Sequence, residues 1–113
     1  MKDKLNPFHL AIPVSNLEES VAYYKDTLGL REGRSSNKWA DFDFFGHQLV
    51  CHVSDSINEQ ITNTVDGEKV PVPHFGVVLS IEEFEEFLSQ INDKNVDFII
   101  KPTIRFKGEI GEQ

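Results

Sequence analysis

Two stretches of this 113-residue chain follow one pattern, and that repeat constrains the fold more than any other feature. "FHLAIPVSNLEESVAYY" and "HFGVVLSIEEFEEFL" each carry a histidine, His9 and His74, at the head of an apolar run. Each run leads to Ser and then to Glu three positions on. With His9 set against His74, Leu10 meets Phe75, Ile12 meets Val77, Val14 meets Leu79, Ser15 meets Ser80 and Glu18 meets Glu83. Alternating apolar residues predict a half-buried strand. Ser-x-x-Glu is the capping box that opens a helix. Apolar positions then recur at helical spacing: Val21, Tyr24 and Leu28 in the first copy; Phe84, Phe87, Leu88 and Ile91 in the second.

A supersecondary unit written twice outweighs the propensity of any single segment. The first copy continues through "LREGRSS", "WADFDFFG" and "HQLVCHVS", with Gly46 at a turn, and reads β-α-β-β-β over about residues 8–54. The polar stretch over about 55–73 reads as a connector. The second copy occupies about 74–113 and runs strand–helix–strand as far as "VDFIIKP". Its last strand is expected to fall past Gln113, because the span from His9 to His52, repeated from His74, is longer than the sequence that remains. The predicted class is α+β, with tandem βαβββ modules in a single domain over residues 1–113 and the second module truncated at its C-terminus.

Strand alternation sorts the candidate functional groups. His9, Ala11 and Pro13 lie opposite the helix-packing residues Leu10, Ile12 and Val14. His74, Gly76 and Val78 lie opposite Phe75, Val77 and Leu79. In "HQLVCHV", Gln48, Val50 and His52 share the histidine side, with Leu49, Cys51 and Val53 on the core side. Two histidines at equivalent places in two related strands, with His52 or Gln48 on a neighbouring strand, make a metal-ligand set. Imidazole suits Zn, Fe, Mn, Co or Ni, and a catalytic site leaves a position open for substrate. Against this stands the plainer reading of each histidine alone as a satisfied or surface residue. His47 falls on the other face beside the turn, where a structural role is expected.

Arg105 and Lys107 share a strand face and are candidates for an anionic substrate group, as is Arg34 more weakly; solvent-exposed charge is the competing reading. Trp39, Phe42, Phe44 and Phe45 supply more aromatic surface than one small core requires, so Trp39 is a candidate cavity-lining residue. "EEFEEF" reads as a helix with a solvated acidic face. A net charge of −8 argues against a nucleic-acid partner, which needs a basic face. The one cysteine, Cys51, excludes an internal disulfide, fits a reducing compartment and reads as core. No signal core or membrane-length apolar run is present, so a cytoplasmic location is expected. The open edges of an incomplete second module predict a homodimer.

The duplicated unit, the first-strand histidines and the helix opening "SNLEES" together resemble the vicinal oxygen chelate superfamily, which includes glyoxalase I, extradiol dioxygenases, fosfomycin-resistance transferases and bleomycin-resistance proteins. "GHQLVCH" and "PTIRFKGEIGEQ" are similar to a bacterial glyoxalase-like subgroup. The resemblance covers essentially the whole chain. It implies a cup-shaped, curved mixed sheet and a divalent metal held by His9, His74 and a last-strand Glu that would lie beyond Gln113. A fourth-strand position, Gln48 or His52, is a further ligand candidate. Two activities follow as expectations: a lyase, isomerase or dioxygenase acting on a small oxygenated or anionic metabolite chelated through two oxygens, or a non-catalytic protein that sequesters a ligand in the same cup.

Overall fold

The computed structural model describes residues 5–55, 61–65, 68–104, 108 and 110. The first repeat folds as β1 (His9–Val14), α1 (Leu17–Val21, continued by a π-helical segment Ala22–Thr27), β2 (Arg31–Ser35), β3 (Trp39–Phe44) and β4 (His47–Val53). The four strands form one mixed sheet in the order β1-β4-β3-β2, with β1 and β4 parallel and the other pairs antiparallel. This is the predicted β-α-β-β-β unit, with a curved and unclosed sheet.

The helix of the first repeat packs over one sheet face, where Leu30, Ala40, Phe42 and Cys51 form the buried core and Ile12, Val14, Leu17, Val21 and Tyr24 pack against it. Burying a side chain such as Phe42 or Leu49 contributes roughly 1.5–3 kcal/mol. Burial pushes the Tyr24 hydroxyl up to about 12, with Cys51 and Tyr23 adding to the effect. It also pushes the Cys51 thiol up to about 11. A two-residue turn, Phe45-Gly46, joins β3 to β4 with both residues at positive φ (52° and 87°), the geometry that matches the twist of a hairpin. Asp43 Oδ1 accepts from the Gly46 N–H at 2.7 Å and locks this turn. The turn sets the register Phe44↔His47 and Asp43↔Gln48, and so decides which face each β4 side chain takes.

Three local features differ from the sequence reading. The first helix is capped by Asn16, whose Oδ1 accepts from the Glu19 N–H at 2.9 Å, and not by Ser15. Asn is as good a cap as Ser, and Asn16-x-x-Glu19 repeats the box spacing one residue later. The connector contains an antiparallel ribbon of β5 (Ile61–Val65) and β6 (Glu68–Val72). An Asp-Gly pair in the sequence between these runs is the hairpin signal that the polar composition concealed. In the second repeat α2 (Ile81–Ile91) forms as expected, with Ser80 and Glu83 completing both halves of a capping box. Residues 74–80 and 96–102, both read as strands from the sequence, run without strand pairing among the described residues. A strand needs a hydrogen-bonded neighbour. The β1–β4 offset that pairs His9 with Gln48 leads from His74 to Gln113, outside the described residues. Phe75 packs instead on Phe44, with ring centroids 5.7 Å apart, and Phe87 of α2 packs on Phe45. Among the described residues no helix is long and apolar enough to cross a membrane.

Candidate functional site

The sheet face away from α1 carries the polar groups. The register places His9 level with Gln48, Ala11 with Val50 and Pro13 with His52, so the six share a face as the alternation predicted. From β3, Trp39, Asp41 and Asp43 join them, opposite His52, Val50 and Gln48 respectively. Arg31 of β2 lies opposite Asp43 and donates to its Oδ2 at 3.0 Å. A cleft of about 250 Å³ opens here, lined by Arg31, Gly33, Asp41, Asp43 and Gln48 among others.

His9 is exposed, and its Nδ1 lies 2.9 Å from Gln48 Oε1. The Gln48 amide nitrogen faces Asp41 Oδ2 at 3.5 Å, at the long end of a hydrogen bond. Asp41 is the buried polar residue among those described, at 7% exposure. A bulge in β2 between Glu32 and Ser35 turns the Arg34 backbone N–H onto Asp41 Oδ1 at 2.5 Å. The Arg34 guanidinium lies 3.8 Å from Oδ2. Gly33 leaves the space in which the carboxylate sits, because a Cβ there would collide with Oδ1. Asp41 escaped the sequence reading. The signal was available in "WADFDFF", where Asp41 and Asp43 alternate with Ala40, Phe42 and Phe44, so an acid sits mid-strand on the face opposite the core.

His74 lies on the extended segment after β6, exposed, with Nδ1 2.7 Å from the Pro71 carbonyl oxygen. A carbonyl only accepts, so His74 Nδ1 carries a hydrogen, and in the neutral ring Nε2 is the lone-pair nitrogen. His47 is the reverse: its Nδ1 accepts from the Phe8 N–H at 2.8 Å, a structural bond at the head of β1. Among the described residues no contact joins the His9 and His74 rings, and no group of three or more His, Cys, Asp or Glu side chains is arranged to hold a metal. His52 is exposed and four residues along β4 from the level of His9, roughly 13 Å at strand rise. Trp39, opposite His52, is half-buried at that far end. Arg105 and Lys107 lie outside the described residues.

A curved, unclosed mixed sheet built from a βαβββ unit, with a histidine on the first strand facing an open polar surface, defines the class of the protein. The Glyoxalase/Bleomycin resistance protein/Dioxygenase superfamily profile matches residues 6–111, and the chain belongs to that superfamily. A solved glyoxalase/bleomycin resistance protein/dioxygenase from Alicyclobacillus acidocaldarius is 30% identical, with a TM-score of 0.81 over 99% of this chain and 80% of that one. The fosfomycin resistance protein FosX from Listeria monocytogenes aligns over 90% of this chain and 72% of that one, at 22% identity and a TM-score of 0.60. An integron cassette protein from the mobile metagenome of the Halifax Harbour sewage outfall aligns over 80% and 71%, at 21% identity and a TM-score of 0.59. At the identities of these last two the likeness is one of fold. No curated protein matches the chain.

Proposed function

We propose that this chain is a metal-dependent enzyme of the glyoxalase/dioxygenase type, with His9 and His74 as protein ligands to one divalent transition metal. One observation carries the reading: both histidines are exposed and turn Nδ1 to an oxygen atom, Gln48 Oε1 for one and Pro71 O for the other. Metal-ligating histidines almost always engage the second ring nitrogen in this way, which orients the ring and presents the other nitrogen. His47, whose Nδ1 accepts from a backbone N–H, lacks the arrangement. The donors fit ions that favour imidazole, namely Zn, Fe, Mn, Co or Ni. Gln48 serves here as the support of a ligand, and His52 is set apart by its place on the strand.

A bound divalent ion of this kind supplies Lewis acidity toward neighbouring oxygens of a chelated substrate. The chain's own residues supply the rest. Arg31 at the cleft mouth, 83% exposed at its side chain, offers a guanidinium to an anionic or oxygen-rich metabolite. Asp43 holds that guanidinium against the cleft wall. Arg105, Lys107 and Trp39 remain further candidates for substrate contact.

The molecule is proposed to be a cytoplasmic homodimer of single domains, each made of the two modules. Among the described residues the outer edge of β1 is unpaired in the sheet and residues 74–80 have no strand partner; Val78 and Ile81 are exposed at 98% and 66%. Light scattering at micromolar concentration should return twice the chain mass; a monomer would count against this part.

Elemental analysis of the purified protein tests the enzyme reading. About one equivalent of transition metal, reduced in His9→Ala and in His74→Ala, is expected. Less than half an equivalent, unchanged by either substitution, would overturn it. The second reading, a ligand-sequestering protein, is favoured by one feature, an apolar cavity of about 400 Å³ lined by Leu10, Phe44, Leu49, Phe75 and Val77 among others, which lies on the other sheet face from the His9 side chain expected to line the cup. It requires tight binding of an aromatic compound by metal-stripped protein.

A further inference from the structure

We infer that Asp41 and Gln48 are positioning residues that fix the ring tautomer of His9, holding hydrogen on Nδ1 and leaving Nε2 as the lone-pair nitrogen. The inference rests on the proposed ligand role of His9 for its importance to function, but its physical content is independent of any ion.

The relay runs from the buried end outward. Asp41 has one position open to it. The bulge in β2 delivers the Arg34 N–H to Oδ1, Gly33 leaves the space for it, and the Arg34 guanidinium stands near Oδ2. A carboxylate so held is an acceptor only. Of the two ends of the Gln48 amide, only the NH₂ group interacts favourably with Oδ2 at 3.5 Å; the reversed amide would set two acceptors against each other. The same planar group then has its oxygen at His9, 2.9 Å from Nδ1. An amide oxygen cannot donate, so Nδ1 must. The carboxylate of β3 thereby decides the protonation pattern of a ring on β1 through one side chain on β4 between them, and the strand register keeps the three on one face. His74 reaches the same tautomer through a main-chain carbonyl, which needs no such relay. The two histidines of the repeat therefore present the same nitrogen by different means.

The test is a two-bond ¹H–¹⁵N correlation spectrum of the full ¹⁵N-labelled chain at about pH 8.5, above the range in which free imidazole protonates. The His9 resonances are identified by their loss in His9→Ala. The wild type should show a protonated Nδ1 and an unprotonated Nε2. Asp41→Asn replaces the carboxylate with an amide that is able to donate to Gln48, which lets the Gln48 amide turn and present NH₂ to the ring. The protonated and unprotonated ¹⁵N resonances of His9 should then exchange places, wholly or in part. Gln48→Glu added to Asp41→Asn restores an acceptor-only group beside Nδ1 and should restore the wild-type pattern. Asp43→Asn removes a charge directly opposite Gln48, but Asp43 accepts from Arg31 and Gly46 while the Gln48 amide faces Asp41, so this change should leave His9 unchanged.

A wild-type His9 in the Nε2–H form would overturn the inference, as would equal shifts in Asp41→Asn and Asp43→Asn. If Asp41→Asn does not fold, Gln48→Leu decides the question, because the Nδ1–H preference should be lost with Asp41 and its loop contacts intact; its retention would overturn the inference. Failure of the metal reading leaves these spectra unaffected, so the two claims fail separately.

Discussion

His9 and His47 sit on neighbouring strands with opposite hydrogen-bonding roles at the same ring atom. His9 Nδ1 meets the oxygen acceptor Gln48 Oε1 at 2.9 Å, and His47 Nδ1 accepts from the Phe8 N–H at 2.8 Å. Phe8 precedes His9 and His47 precedes Gln48, so the two contacts are adjacent along the β1–β4 junction. The period of two along a strand puts them on opposite faces. One histidine is used to start the sheet, and the other is turned to the open surface with a nitrogen to spare.

The niche around Asp41 should be intolerant of a single methyl group. Gly33→Ala is expected to destabilise the protein by about 1–3 kcal/mol, the range for overpacking a fitted site. The urea midpoint measures this. In an Asp41→Ala background the same change should have little effect, because the colliding oxygen is gone, and that non-additivity identifies the contact.

The first module should carry most of the packing stability. Phe42, 2% exposed, lies in the buried core with Leu30, Ala40 and Cys51. Phe42→Ala is expected to cost about 3–5 kcal/mol in denaturant unfolding. Phe84→Ala on α2, where the ring is 40% exposed, should have a clearly smaller effect.

Acid should loosen the start of α2 before the sheet. Hydrogen bonds from the Ser80 backbone and then the Ser80 side chain hold the Glu83 carboxyl below its ordinary value. A depressed folded value means that the capping contribution is complete above the ordinary carboxylate range and is lost as pH falls through the folded value. The protection of the Glu83 and Phe84 amides, measured relative to the intrinsic exchange rate at each pH, should therefore fall in acid, and Glu83→Gln should remove that pH dependence.

Cys51 should behave as core and not as a nucleophile. It is fully buried, and its thiol is pushed up to about 11 by that burial. At pH 8 roughly a thousandth is thiolate, so a thiol reagent should react only as the chain unfolds. Stoichiometric labelling of the native protein within minutes would contradict this.

The duplicated pattern made the sheet and its faces legible, because alternation along β1 and β4 is enforced by burial of Ile12, Val14, Leu49 and Cys51 on one side. His9 beside Gln48 followed from that alternation once the strands paired. Asp41 did not. Its meaning depends on the β2 bulge that brings Arg34 N to it, and a bulge leaves no mark in hydrophobic period. The shift of the first cap from Ser15 to Asn16 and the β5–β6 ribbon were missed for a related reason. Each is decided by local geometry, between two good caps in one case and by the pairing of two short polar runs in the other, where composition alone does not choose. The repeat pairs His9 with His74 on the sequence alone; among the described residues the two rings are not in contact, because residues 74–80 have no strand partner to set them beside β1.

The central claim is that His9 and His74 bind one metal ion, and X-ray absorption at the metal edge tests it most directly. Protein loaded with one equivalent of Zn²⁺ or Co²⁺ should show two imidazole ligands in its coordination shell, falling to one in His9→Ala and in His74→Ala and unchanged in His47→Ala. A shell without imidazole, or one that neither substitution alters, would contradict the account.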